Sequence, residues 1–379
     1  MRIGIVCYPT FGGSGVLATE LGKALADKGH EVHFITYQQP VRLNVFNTNI
    51  LYHEVRVPTY PLFDYPPYEL ALASTMVDVI INQDLDLLHV HYAIPHASAA
   101  YLAKQIIKSK TGRDVPVITT LHGTDITLVG RDKTYEPVVT FSINESDAIT
   151  AVSENLKQET YKNFQIHKEI EVITNFVDVS RFNKKPFDAF KKVIAPNGEK
   201  ILVHASNFRK VKRVLDVVKV FAEVNKYIPC KLLMVGDGPE RPAAEELARA
   251  LGVEHEIRFV GKQEQIEEIL AVCDLFLLPS EYESFGLAAL EAMAARSVVI
   301  STNAGGLPEI MEQGKTGFMA NVGDVAAMSD FAISLLKSES RLEEMKEAAF
   351  QQALAFDIHN IVPQYEKLYS RYCRNVPCA

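Results

Sequence analysis

With 379 residues, 47% hydrophobic content, 23% charged residues and no low-complexity tract, the chain has the size and composition of a two-domain globular protein. Its formal net charge of −8 opposes non-specific attachment to nucleic acid or to an anionic membrane, both of which need a basic surface. Five scattered cysteines (Cys7, Cys230, Cys273, Cys373, Cys378) lack C-x-x-C spacing, and no apolar run reaches membrane-spanning length. A disulfide framework, a zinc site and a membrane span are therefore not expected. The opening Met1-Arg-Ile-Gly-Ile-Val-Cys7 reads as a strand rather than a signal peptide, so a cytoplasmic location is expected.

Short apolar runs alternate with helical stretches, which predicts parallel sheets covered by helices on both faces. In the first half the strands are expected at 2–7, 31–36, 50–57, 86–92, 115–121, 148–152 and 170–175. The pattern restarts near 200–206, 231–236, 256–261, 275–280 and 297–302, after a polar, proline-terminated stretch at about 176–186. This divides the chain into an N-terminal domain over 1–177 and a C-terminal domain over 178–357, with a last helix, about 358–379, packing back on the first. The fold class is α/β: two Rossmann-like, doubly wound domains, with the C-terminal ends of both sheets around an interdomain cleft.

The first strand runs into Pro9-Thr-Phe-Gly12-Gly13-Ser14-Gly15-Val-Leu-Ala18, whose Gly13-x-Gly15-x-x-Ala18 register satisfies the dinucleotide-binding fingerprint. A nucleotide-dependent oxidoreductase wants an acid at the end of the second strand to hold a ribose, and Glu31-Val-His-Phe-Ile-Thr36 ends without one. Contact with some other anion at the following helix, or a plain tight turn, are the alternatives. Two later strands end in histidines, His89-Val-His91-Tyr92-Ala-Ile-Pro-His96 and Thr119-Thr120-Leu-His122-Gly123-Thr124-Asp125. His89 and His91 share a strand face, which raises a metal site, but no carboxylate or cysteine stands at suitable ligand spacing. His122, followed by a glycine that permits close backbone approach, is a candidate to hydrogen-bond a substrate hydroxyl, or a satisfied structural histidine.

The second half opens with Leu202-Val-His-Ala-Ser206-Asn207-Phe-Arg209-Lys210-Val-Lys212-Arg213, four basic residues within five positions of an acidic protein. Arg209 and Lys212 suit a diphosphate, one as a planar fork and one as a point charge. The glycine loops at Gly236-Asp-Gly238-Pro and Val260-Gly261 suit backbone contacts to a flat base, and Gly305-Gly306-Leu-Pro308-Glu309 predicts a tight loop with a helix starting at proline. In Pro279-Ser-Glu-Tyr-Glu283-Ser-Phe285-Gly286-Leu287-Ala-Ala-Leu-Glu291, two carboxylates flank an expected helix start. At helical rise they would lie on the order of 12 Å apart, with free N–H groups between them for an anion. That separation exceeds the roughly 5–9.5 Å of a glycosidase pair. An amphipathic helix bearing two solvated glutamates is the alternative.

In this order, Gly12-Gly13, the basic cluster, Gly236-Asp-Gly-Pro, Glu283-x₇-Glu291 and Gly305-Gly-x-Pro-Glu resemble the retaining GT-B glycosyltransferases of sequence family four, over essentially the whole chain. The resemblance implies that Glu291 holds the ribose, that Glu283 and His122 hold the transferred sugar, and that Phe285, Gly286 and Leu287 face sugar and diphosphate. Lys212 matches the family's diphosphate lysine. Asn207 stands where the family usually has an arginine, so Arg209 is expected to take that role. His122, Arg209, Lys212 and Glu283 are thus the catalytic candidates. Gly13, Asn207, Gly236, Val260 and Gly261 complete the expected donor site.

Tyr8-Pro-Thr-Phe-Gly-Gly-Ser-Gly, His89 to His96, Leu121-His-Gly-Thr-Asp-Ile-Thr and Ser206-Asn-Phe-Arg are similar to the family members that start bacillithiol synthesis. Those enzymes move N-acetylglucosamine from UDP-N-acetylglucosamine to the hydroxyl of L-malate. The likeness implies these two small-molecule substrates and neither metal nor other cofactor; a homo-oligomer is compatible with it. Ser14, Tyr92, Thr119, Thr120 and Arg131 are the acceptor candidates. Other UDP- or GDP-sugar donors with another small acceptor, or a non-catalytic nucleotide-sugar binder, are the alternatives.

Overall fold

The computed structural model describes residues 1–10, 12–43, 46–57, 65–130, 132–184 and 188–373. It divides into two compact units, Met1–Asn175 with the chain from Ile358 onward, and Phe176–Asp357. Arg131 lies outside the described residues.

In the first unit the strands are β1 (Arg2–Val6), β2 (Glu31–Thr36), β3 (Ile50–Glu54), β4 (Leu87–His91), β5 (Val117–Leu121), β6 (Ala148–Ala151) and β7 (Ile170–Val172). They form a parallel sheet in the order β3-β2-β1-β4-β5-β6-β7. Every residue of β4 and β5 is buried, as expected of central strands covered on both faces, including the polar His89, His91, Thr119 and Thr120. Helix Tyr68–Gln83 and helix Ser98–Thr111 pack Leu72, Met76, Ile80, Ala100 and Ala103 against one face. On helix Ile358–Tyr372, Ile361, Val362, Tyr365, Leu368 and Tyr369 are buried. Glu366 binds Lys28 and His30 at 2.9 and 3.0 Å, and Arg371 binds Glu171 at 2.6 Å, so this C-terminal helix belongs to the first unit.

The second unit repeats the plan with β8 (Lys200–Ala205), β9 (Cys230–Val235), β10 (Ile257–Gly261), β11 (Leu275–Leu278), β12 (Val298–Thr302) and β13 (Gly317–Ala320). Their order is β10-β9-β8-β11-β12-β13, again parallel throughout. Strand β13 was not expected from the sequence. Gly-Phe-Met-Ala is short and opens on a strand-weakening glycine, and pairing with β12 supplies what its own propensity lacks. The Cβ that any other residue would bring at Gly317 would sit 2.5 Å from the Val299 carbonyl oxygen, so that pairing requires glycine. Phe221, Leu232, Leu277, Ile300, Phe318 and Leu335 join the core between this sheet and its helices.

Candidate active site

Each sheet reverses its strand order once, between β1 and β4 in the first unit and between β8 and β11 in the second. Loops leaving the carboxyl ends of strands diverge at such a reversal, and ligands of open α/β sheets bind there. In both units a short contact between polar side chains bridges the two diverging loops.

In the second unit it is the ion pair of Lys212 Nζ with Glu283 Oε1, 2.6 Å, between side chains that are 21% and 13% exposed. Ser280 Oγ donates to the same oxygen at 2.7 Å, and among the described residues Oε2 carries no hydrogen bond. Lys212 ends a short turn, Lys210–Lys212, that follows β8 and precedes helix Val214–Asn225. The basic run is therefore not one solvated helix start. Arg213 turns aside to Asp216 and, at 3.3 Å, to Glu281, while Asn207, Arg209 and Lys210 are exposed.

Glu283 sits in the loop before helix Leu287–Ala294, and Glu291 lies in that helix's second turn. The expected separation of about 12 Å by helical rise thus does not apply, because only Leu287 to Glu291 is helical and Glu283 folds against Lys212. The helix has no capping side chain and no acidic residue in its first turn, and Gly286 precedes it at φ +99°. The first N–H groups of a helix have no partner within it, so this start suits an anion.

The loops around this pair are fixed by backbone contacts. Glu281 N–H donates to the Val211 carbonyl at 2.8 Å, tying the β11 loop to the basic turn. Gly306 N–H donates to the Glu283 carbonyl at 2.8 Å, and a Cβ at Gly305, φ +67°, would lie 2.0 Å from that same oxygen. At Gly236, φ +114°, a Cβ would meet the Ser206 carbonyl oxygen at 1.8 Å. These glycines are needed because backbone passes where a side chain would stand. Gly236 N–H donates to the Gly261 carbonyl at 2.8 Å, and the Val260 carbonyl accepts from Gln263 Nε2 at 2.6 Å.

Beneath the β8 loop lies His204, fully buried. Its Nδ1–H donates to the Leu277 carbonyl at 2.8 Å, so Nε2 is the acceptor for the Ser206 hydroxyl, also at 2.8 Å. Ser206 Oγ in turn accepts the Phe208 N–H at 3.2 Å. Burial pushes the His204 pKa down to about 4, which keeps the ring neutral and this chain of bonds intact. From the sequence, His204 and Ser280 had no role, and Ser206 had only a place in the Ser206-Asn-Phe-Arg motif; the signal was their position at the ends of two adjacent strands.

In the first unit the bridging contact joins Ser14, in the first turn of helix Gly13–Asp27, to Tyr92 just after β4, with hydroxyl oxygens 2.6 Å apart. Tyr92 holds φ +87°, a strained backbone for a non-glycine residue, and its ring packs 5.1 Å from His122 and 5.3 Å from Tyr8. Asp125 binds the β4 and β5 loops together, accepting from Ala93 N–H at 2.9 Å and Gly123 N–H at 3.0 Å. Burial raises its carboxyl pKa to about 6 against the pull of these hydrogen bonds.

His122 Nε2 lies 2.8 Å from His91 Nδ1. Burial lowers the His122 and His89 pKa values to about 3 and that of His96 to about 4, and holds His91 well below the ordinary range, so all four rings are neutral. His89 is held in a structural network, with Tyr369 hydroxyl at 2.7 Å and Thr120 Oγ1 at 2.7 Å. No cluster of three or more His, Cys, Asp or Glu side chains suited to a metal occurs among the described residues.

Thr119 and Thr120 leave the acceptor candidates. Both are fully buried within β5, with Thr119 Oγ1 against Ser146 Oγ and Thr120 Oγ1 against Thr150 Oγ1, each at 2.7 Å. The oxidoreductase alternative also loses ground, since Thr36 is buried at the end of β2 with its hydroxyl donating to the Gln38 carbonyl at 2.7 Å.

Residues 11–181 match the family described as Glycosyltransferase Family 4, and residues 187–352 match Glycosyl transferases group 1. Over 371 residues the chain is 49% identical to the N-acetyl-alpha-D-glucosaminyl L-malate synthase of Bacillus anthracis, covering 97% of this chain and 96% of that protein. The chain belongs to glycosyltransferase family four. Among solved structures, this glycosyltransferase is similar to an Anabaena protein in complex with UDP and glucose, at TM-score 0.82 and 19% identity over 98% of this chain and 100% of that one. It is also similar to a glycosyltransferase from Rickettsia africae, at TM-score 0.80 and 22% identity over 99% of each chain. The fold is GT-B.

Proposed function

We propose that this glycosyltransferase moves N-acetylglucosamine from UDP-N-acetylglucosamine to the hydroxyl of L-malate, the first step of bacillithiol synthesis. Near-full-length likeness to the Bacillus anthracis L-malate synthase carries the choice of substrates. The Lys212–Glu283 pair at the β8/β11 reversal carries the placement of the donor. On donor binding, Glu283 turns to the hexose hydroxyls and Lys212 to the diphosphate, while Glu291 accepts from the ribose hydroxyls.

In this reading Lys212, Arg209 and the N–H groups at the start of helix Leu287–Ala294 stabilise the negative charge that grows on the diphosphate as the bond from the anomeric carbon to phosphate oxygen breaks. The malate hydroxyl oxygen forms the new bond on the same face. Its proton passes to the departing phosphate oxygen, so the products are the glycoside and UDP, with retained anomeric configuration. Neither Glu283 nor Glu291 acts as nucleophile, and no metal takes part. In the first unit, Ser14 and Tyr92 donate to malate oxygens, Gly13 presents backbone N–H, and His122 meets the donor sugar.

The test is an acceptor screen with UDP-N-acetylglucosamine, without added metal, reading UDP release and product mass. L-Malate is expected to give N-acetylglucosaminyl malate. Product with another hydroxy acid and none with malate would reassign the acceptor, and binding without turnover would favour a nucleotide-sugar sensor.

A further inference from the structure

A buried group of four imidazoles, His89, His91, His96 and His122, lies behind the carboxyl ends of β4 and β5, and its hydrogen bonds decide where the protons sit. His96 Nδ1 lies within hydrogen-bond distance of the His91 carbonyl oxygen, which can only accept, so His96 Nδ1 carries the hydrogen. His91 Nδ1 and His122 Nε2 face each other at 2.8 Å and share one proton. Two assignments are possible, and they differ in what is left over.

His91 Nε2 is sealed from solvent and has no partner. If His122 Nε2–H donated, His91 would have to carry its own proton on Nε2, leaving a buried N–H with nothing to bond. If His91 Nδ1–H donates, the leftover group is a bare lone pair. Orphaned buried N–H groups are the rarer of the two. Each ring is neutral and has one proton to place, because burial penalises the charged form. His122 Nδ1 has no hydrogen bond among the described residues and is not among the sealed-off atoms, so it reaches the open side of the loop, beside Tyr92.

We infer that His91 is a positioning residue that holds His122 as the Nδ1–H tautomer, so that this imidazole offers bound substrate an N–H donor rather than a lone pair. A free neutral imidazole favours the proton on Nε2, so the arrangement is imposed by the neighbour. The ligand atom it selects is an oxygen with an available lone pair, on a sugar hydroxyl or a carboxylate, and a nitrogen-bound hydrogen at that place is repelled. The inference rests on the reading of His122 as substrate-facing.

The direct test is long-range 1H–15N correlation on the full chain carrying ring-15N histidine at neutral pH, with His122 assigned by comparison with His122→Gln. Nδ1 is expected to show the signature of a protonated nitrogen and Nε2 that of a bare one; the reverse overturns the inference, and this experiment needs no variant at His91. In turnover, His91→Asn keeps an N–H for His122 Nε2 and is expected to stay within a few-fold of the wild type. His91→Leu is expected to lose about tenfold, the equivalent of one hydrogen bond. Equal activity of His91→Leu and wild type, or equal losses in both variants, contradicts the positioning role. If the tautomer is as stated but His122→Gln turns over normally, the placement of His122 at the substrate fails while the proton assignment stands.

Discussion

Lys212 Nζ sits 2.6 Å from Glu283 Oε1 across the strand-order reversal of the second sheet, 71 positions apart in the chain. Each side chain is the other's counter-charge in the free protein. In the function proposed above, a bound nucleotide-sugar would offer both of them better partners, a diphosphate for the lysine and hydroxyls for the glutamate.

Lys212→Ala is therefore expected to lower kcat/KM by about a hundredfold or more, the range seen for removal of a group that stabilises developing charge. Lys210→Ala, two positions away and exposed, should stay close to the wild type. Steady-state kinetics on the two variants checks this, and similar losses would displace the diphosphate from Lys212.

Gly305→Ala places a methyl group 2.0 Å from the Glu283 carbonyl oxygen at a backbone φ of +67°. We expect a stability loss of about 1–3 kcal/mol and a raised KM for the donor, with the acceptor KM little changed. Thermal unfolding and two-substrate kinetics read both effects; an unchanged donor KM would mean the Gly305 loop does not set the position of Glu283.

Tyr92→Phe removes the hydroxyl that lies 2.6 Å from Ser14 Oγ. Loss of one hydrogen bond corresponds to roughly a tenfold rise in acceptor KM, with the donor KM unchanged. A rise confined to the donor would move Tyr92 out of the acceptor site.

Acid should weaken the first unit before the second. Four of its histidines, His89, His91, His96 and His122, have folded pKa values far below the ordinary 6.5, so the unfolded chain takes up protons that the native state refuses. Their contribution is present above about pH 6.5 and is lost as pH falls toward about 3 to 4, at up to roughly 1.4 kcal/mol per pH unit for each proton. Asp125, raised to about 6, acts with the opposite sign and offsets one of them, whereas the second unit has His204 alone of this kind. Hydrogen exchange at pH 5 and pH 7, corrected for intrinsic rates, should show β4 and β5 losing more protection than β8 and β11. Equal loss in the two sheets would contradict the assignment of neutral buried rings.

The strands were legible because central parallel strands are buried on both faces and leave short apolar runs, as Leu275–Leu278 does. Glu283 and Glu291 stood out by spacing, and Lys212 by its charge within an acidic chain. What was hidden depends on register. His91 stands opposite Thr120 on the neighbouring strand, which brings it to His122, and nothing within either segment reveals that pairing. Thr119 and Thr120 looked available as polar residues near a strand end, yet helices cover both faces of β5 and bury both side chains. Strand β13 escaped notice because its stability comes from β12 rather than from its own four residues.

We propose sugar transfer to malate by a site built on Lys212, Glu283 and Glu291. The decisive measurement incubates the full chain with UDP-N-acetylglucosamine and L-malate, with chelator present, and follows UDP release together with product mass. Equimolar UDP and N-acetylglucosaminyl malate are expected from the wild type and almost none from Lys212→Ala. UDP release that does not depend on malate, or none at all from the wild type, would contradict it.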